Sequence, residues 1–278
     1  MLSPRQPPLS VPSPTRSSEL EASLPAPRSA LLVAHPGHEL LLHGWLHAEL
    51  PRVFVLTDGS GREGVSRLDA TTRLLQRAGV PSGGVYGRHR DTEIYDALLS
   101  GDTALFVNLA QELAKALAGE AVDRVVGDAA EGWNPIHDVF RLTVNAAAAL
   151  ASRDLARTIQ IYEFPLFAAP GPGPDPERAV VVQLSPRERE AKREAALHYV
   201  ELDREVRWIL ERYGEDGYTR EWLRPSQAPP GEYRPPDDPP VYERYGEFLA
   251  RSGQLAQAIR YRDHLLPVAE ALEDAARR

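Results

Sequence analysis

Short, wholly apolar runs recur through the middle of this chain, each followed by a stretch of helical spacing. That alternation limits the fold more than any other feature. Residues 30–34 read ALLVA and residues 53–57 read VFVLT. Runs this short with no polar side are what a strand buried on both faces requires. Shorter strand-like runs sit at 83–86, 124–127 and 158–162, with a late one at 180–184. Helical patterns lie between them at 39–50, 65–78, 106–117 and 137–151. Strands separated by helices imply right-handed βαβ crossovers and a mostly parallel sheet. The expected fold is therefore α/β, a Rossmann-like three-layer domain. Sites in such sheets form beyond the carboxyl ends of the strands.

Proline marks the boundaries. Of 25 prolines, seven fall in residues 1–27, five in 165–176 and seven in 225–240. Residues 1–28 mix Pro and Ser with few large apolar side chains, too little to offset ordering entropy, and are expected to be a disordered tail. Proline also interrupts every apolar run there, so no secretory leader is expected and a cytoplasmic location follows. The α/β domain should span 29–185 and a helical C-terminal extension 186–278. That extension reads as a long charged helix over 186–213, a Pro-rich linker over 225–240 and two helices over 241–278. Tyr242, Tyr245, Phe248, Leu255, Ile259 and Tyr261 read as its packing face.

The chain has no cysteine. Disulfides, thiolate-bound zinc, iron–sulfur clusters and a cysteine nucleophile are excluded. Any metal must be held by His, Asp, Glu or backbone oxygen. A net charge of -8 argues against nucleic acid as a partner. The lack of a long apolar run argues against a membrane span. A small molecule is the expected partner.

Two motifs stand at strand ends. Ala34-His35-Pro36-Gly37-His38-Glu39 follows the first strand and places two histidines on a strand-to-helix turn. Pro and Gly permit a tight bend, so both imidazoles can converge on a metal. Equally, the segment can be a plain helix start, with Glu39 capping it or bracing a ligand. The segment from Asp128 to Asp138 (DAAEGWNPIHD) packs one His, three carboxylates and an Asn at a later strand end. Asn134 as N-cap and Pro135 at the first helical position also satisfy the rules for a helix start. Both readings can hold together. Three histidines from two loops make a workable catalytic-zinc set.

These motifs carry a resemblance over roughly residues 30–165. The chain resembles the PIG-L/LmbE-like family of metal-dependent N-deacetylases. That family shows A-H-P-D-D-E after its first strand and H-P-D-H or H-x-D-H after a later one. Here the corresponding segments read AHPGHE (34–39) and NPIH (134–137), with VFVLTDGSG (53–61) and QRAGV (76–80) between them also similar. The resemblance implies a divalent metal, zinc by donor type, on His35, His38 and His137. It also implies hydrolysis of an amide, such as an N-acetylated amino sugar conjugate. His38 stands where the family has an Asp ligand. Gly37 stands where it has the Asp acting as general base, and Asn134 where it has an assisting His.

The proton-transfer groups would then have to be supplied elsewhere. Glu131 is the first candidate base by position, followed by Asp128 and Asp138, and Asn134 could donate to an oxyanion. Asp138 and Glu39 are candidate braces for the ligands. Asp58 in the DGSG turn and Arg88 in the RHRD run are candidate substrate contacts, although each can be a plain loop residue. His43 and His47, one turn apart, read as packing or surface. The alternative is a non-catalytic or repurposed relative that binds metal or a sugar-like ligand.

Overall fold

A computed structural model describes residues 28–61, 64–226 and 237–278. The expected tail at 1–28 lies outside the described residues except for Arg28, and so does most of the linker at 225–240. Strand β1 (Ser29–Val33) leads through a 3₁₀ turn (His38–Leu42) into α1 (His43–Glu49) and β2 (Arg52–Thr57). Next come α2 (Leu68–Ala78), β3 (Ser82–His89), α3 (Asp91–Ser100), α4 (Thr103–Gly119) and β4 (Arg124–Asp128). Helix α5 (Pro135–Asp154) and β5 (Gln160–Phe164) follow. The C-terminal part comprises β6 (Val180–Gln183), α6 (Pro186–Leu197), α7 (Asp203–Thr219), β7 (Arg220–Pro225), α8 (Val241–Arg251) and α9 (Leu266–Arg277).

The sheet runs in the order β3-β2-β1-β4-β5-β7-β6. Strands β1 to β5 are parallel, and β7 is antiparallel to both β5 and β6. This is the expected Rossmann-like arrangement. The chain builds outward from β1 to β3, then returns to place β4 on the other side of β1. A crevice therefore opens above the carboxyl ends of β1 and β4. Strand β1 is buried throughout because each of its faces meets a separate apolar layer. Ala30 and Leu32 join one layer with α4, α5 and α9, while Leu31 and Val33 join the other with α1 and α2. No helix among the described residues is long and apolar enough to cross a membrane.

The C-terminal part departs from a purely helical extension. Strand β7 is inserted between β5 and β6, inside the span read as helical. Its alternation is disguised because one of its inward residues is charged: Glu221, Leu223 and Pro225 are buried. The charge is compensated. Glu221 Oε1 lies 2.9 Å from Lys192 Nζ, and both side chains are fully buried. Lys192 also donates to the Leu41 carbonyl at 2.6 Å, and Glu221 accepts from the Gly44 and Trp45 amides at 2.9 and 2.8 Å. Burial lowers the Lys192 pKa against the opposing pull of Glu221. This knot ties α6 and β7 to α1.

The long charged helix expected over 186–213 is two helices, split by a 3₁₀ turn at Val200–Leu202. Helix α3 had no counterpart in the sequence reading. In α8, Tyr242 is buried, but Tyr245 and Phe248 are 60% and 56% exposed, so the expected packing face is narrower than the aromatic spacing suggests.

Candidate metal centre

His35 and His38 leave β1 on a turn that needs glycine. Gly37 has φ 106 and ψ -21, a left-handed conformation that side chains disfavour. Space is closed there as well: a Cβ on Gly37 would meet Leu202 Cδ1 at 2.3 Å. Glu39 Oε2 accepts the Gly37 N–H at 2.7 Å and Glu39 Oε1 accepts the Thr71 hydroxyl at 2.7 Å. Glu39 thus braces the turn through its backbone rather than through either ring. Burial raises its pKa, opposed by these hydrogen bonds. His137 comes from the first turn of α5. Asn134 Oδ1 accepts from the Ile136 N–H at 2.9 Å, with Pro135 at the helix start.

The three imidazoles meet. Ring centroids are 5.4 Å apart for His35 and His38, 4.9 Å for His35 and His137, and 4.8 Å for His38 and His137. Around a tetrahedral zinc with nitrogen distances of about 2.0–2.1 Å, ring centroids would stand about 5 Å apart. The spacing of the rings matches. Their donor atoms are not already gathered about one point, since among the described residues no three His, Asp or Glu side chains are placed to hold an ion.

Hydrogen bonds select the tautomers. His35 Nδ1 lies 2.8 Å from Thr57 Oγ1 and 3.0 Å from Asp91 Oδ1. Thr57 already donates to the Ala34 carbonyl at 3.1 Å, so it accepts from His35 and the proton sits on Nδ1. The opposite nitrogen, Nε2, is buried with no partner. His38 Nδ1 lies 2.9 Å from Asp128 Oδ2, which also accepts the Ala34 N–H at 2.7 Å. Such outer acceptors leave Nε2 free to ligate and raise its basicity. Burial, reinforced by the neighbouring histidines, holds His137 neutral, well below the usual imidazole range. Burial also lowers His35, against Asp91. For His38 burial is outweighed by Asp128, and its pKa rises.

The other expected site residues are placed elsewhere. Glu131 has both oxygens engaged by backbone: Oε2 accepts from Leu166 and Phe167 N–H at 2.9 and 2.8 Å, and Oε1 from Ala168 at 2.8 Å. A carboxylate spent on three amides anchors a loop and is not poised as a base. Asp138 Oδ1 accepts the Glu131 and Gly132 amides at 3.1 and 3.2 Å, bracing the same loop rather than a ring. Burial pushes its pKa up to about 7. Asp58 Oδ1 closes its own turn on Ser60 N–H at 3.0 Å, and Arg88 pairs with Glu112 at 2.6 Å in an exposed position. Neither contacts the three rings. His43 is buried against His47, as packing expects.

Sequence reasoning missed three supporting groups. Thr57 ends β2, where it read as the last residue of an apolar strand. Asp91 lay within a run taken as a loop. Arg141 is buried on the inner face of α5 and donates to the Asp128 carbonyl at 2.7 Å. It fits because residue 127 is glycine: a Cβ there would meet Arg141 Nη2 at 2.5 Å. An arginine amid the apolar positions of PIHDVFRLTVN was the one available signal.

No family model matches the sequence, and no curated protein matches it. Several solved structures are similar in shape. One is the A40926 pseudoaglycone deacetylase Dbv21, with TM-score 0.48 and 16% identity, covering 72% of this chain and 97% of that one. Another is the zinc-inhibited form of teicoplanin deacetylase Orf2, with TM-score 0.48 and 16% identity over 70% of this chain and 96% of that one. A third is the conserved protein TT1542 from Thermus thermophilus, with TM-score 0.47 and 16% identity over 73% and 95%. Likeness at this level says nothing about activity.

Proposed function

We propose that His35, His38 and His137 bind one divalent metal ion, zinc by donor chemistry, and that the chain is a hydrolase acting on an amide of a small molecule. The observation that carries this reading is His35: its Nδ1 proton is held by Thr57, with Asp91 Oδ1 3.0 Å away, while its Nε2 is buried and unpartnered beside two further imidazoles. A buried acceptor left without a partner costs about 1–3 kcal/mol unless a ligand uses it. The resemblance of AHPGHE and NPIH to PIG-L/LmbE-like motifs supports an N-acyl substrate, an N-acetylated amino sugar conjugate among them.

A bound divalent ion polarises an amide carbonyl and acidifies a water. The residues of this chain do the rest. Asp128 holds His38 and Thr57 holds His35 at Nδ1, which leaves Nε2 of each ring as the nitrogen available to a ligand. Burial keeps His137 and His35 neutral and therefore able to ligate. Asn134 has its oxygen committed to Ile136, which leaves its amide N–H groups to donate toward an oxyanion.

A second reading, binding without turnover, is favoured by one specific finding. The space a base at position 37 would need is filled by Leu202, and Glu131 is spent on the backbone. Zinc-loaded protein should release amine from an N-acetylglucosaminide or a simpler acetamide, and His137→Ala should not. Stoichiometric zinc with no amine release from any of them would select the second reading.

A further inference from the structure

Beside His137 the surface is aromatic. Phe167 lies 6.1 Å from the His137 ring, nearly parallel at 18°. Trp133 stands 5.6 Å from Phe167, and Trp208 stands 6.1 Å from it on an edge-to-face approach. Trp133 and Trp208 are 53% and 38% exposed. Two exposed tryptophans grouped around a phenylalanine that stacks on His137 are an unusual use of apolar surface.

The group is also built to stay in place. Three amides of residues 166–168 end on the Glu131 carboxylate. Tyr213 donates its hydroxyl to the Phe167 carbonyl at 2.6 Å and packs edge-on against Trp208 at 5.9 Å. The loop carrying Phe167 is thus fixed from both sides, and α7 carries Trp208 to it. Preorganised aromatic faces bind with little loss of conformational entropy.

We propose that Trp133, Phe167 and Trp208 form an aryl-binding lip, so that the substrate carries an aromatic ring next to the group placed at the three histidines. This rests on the hydrolase reading and names its substrate class. A polyol needs carboxylate or amide acceptors for its hydroxyls. Several acceptors in the segment carrying Trp133 are committed: both Glu131 oxygens and Asp138 Oδ1 to backbone amides, and Asn134 Oδ1 to Ile136. The exposed ring faces and edges of the tryptophans suit another aromatic ring by offset or edge-to-face stacking.

The test is calorimetric binding and amine release with zinc-loaded full-length protein and three amides: acetanilide, N-cyclohexylacetamide and N-acetylglucosamine. Acetanilide should bind about tenfold more tightly than N-cyclohexylacetamide, the upper range of one aromatic pair. That preference should vanish in Trp133→Ala and Trp208→Ala and persist in Trp133→Phe, with unchanged circular dichroism and zinc content. Equal binding of aryl and cyclohexyl amides, tightest binding of N-acetylglucosamine, or a preference untouched by both alanine variants overturns the lip. Aryl-selective binding without amine release from any amide keeps the lip and removes the hydrolase reading. Amine release from all three with equal kcat/KM keeps the hydrolase and removes the lip.

Discussion

Replacing Glu221 with alanine should be among the most damaging single changes in the molecule. The carboxylate holds three buried donors at once: Lys192 Nζ at 2.9 Å and the Gly44 and Trp45 amides at 2.9 and 2.8 Å. Removing one member of a buried ion pair costs about 3–5 kcal/mol, because the survivor stays charged without its counter-ion. Two stranded amides add to this, although not at their full separate cost, since the structure relaxes around one cavity. We expect a loss of about 4–6 kcal/mol, read as a fall in Tm of about 10–20 °C for a chain of this size. Lys192→Met should cost less, about 2–3 kcal/mol, because Glu221 keeps its two amide donors. The double variant Lys192→Met/Glu221→Gln should recover most of the loss, since no unpaired charge remains. Urea and thermal unfolding followed by circular dichroism measure all three. A Glu221→Ala protein within about 1 kcal/mol of the parent would mean that the knot between α1, α6 and β7 does not hold the C-terminal part to the sheet.

Other outcomes follow from the same contacts. Gly37→Asp should destabilise by about 2–4 kcal/mol, through a left-handed φ and the 2.3 Å approach of Leu202, and should not raise amine release; adding Leu202→Ala should recover part of the stability. His43, whose pKa is lowered to about 4 by burial and by His47 and Lys192, is neutral when folded and binds its proton more readily when unfolded. Its contribution to stability should therefore be intact above about pH 6.5 and be lost, by up to about 3 kcal/mol, as the pH drops toward 4, and the difference between the parent and His43→Phe in denaturant titrations isolates it. Glu131→Ala should free the 166–168 amides, costing about 2 kcal/mol and speeding their hydrogen exchange; unchanged exchange there would contradict the loop-anchoring role.

The fold and the meeting of three histidine rings were legible because their signals are local. Apolar runs such as ALLVA and VFVLT announce buried strands, and two histidines on the turn after β1 with a third at the start of α5, after the neighbouring β4, bring three rings together. Residues acting across the sheet were not legible in the same way. Asp91 reaches His35 from the start of α3, after a different strand, and Thr57 does so from the end of β2. Glu131 looked like a base because it lies near His137 in sequence, yet its carboxylate turns away to the loop after β5. Strand β7 was hidden because an inward charge, Glu221, is paired with a lysine 29 residues earlier. Compensation at a distance erases the local pattern from which strands are read.

His35, His38 and His137 are proposed to share one ion. Zinc analysis of protein reconstituted with excess zinc and then desalted tests it most directly, with the apo forms compared by thermal unfolding. About one zinc per chain is expected for the parent, as one three-histidine site requires, and none for His137→Ala, whose apo form should unfold within a few degrees of the parent's. A parent that retains no zinc, or a His137→Ala protein that retains as much as the parent, would contradict it.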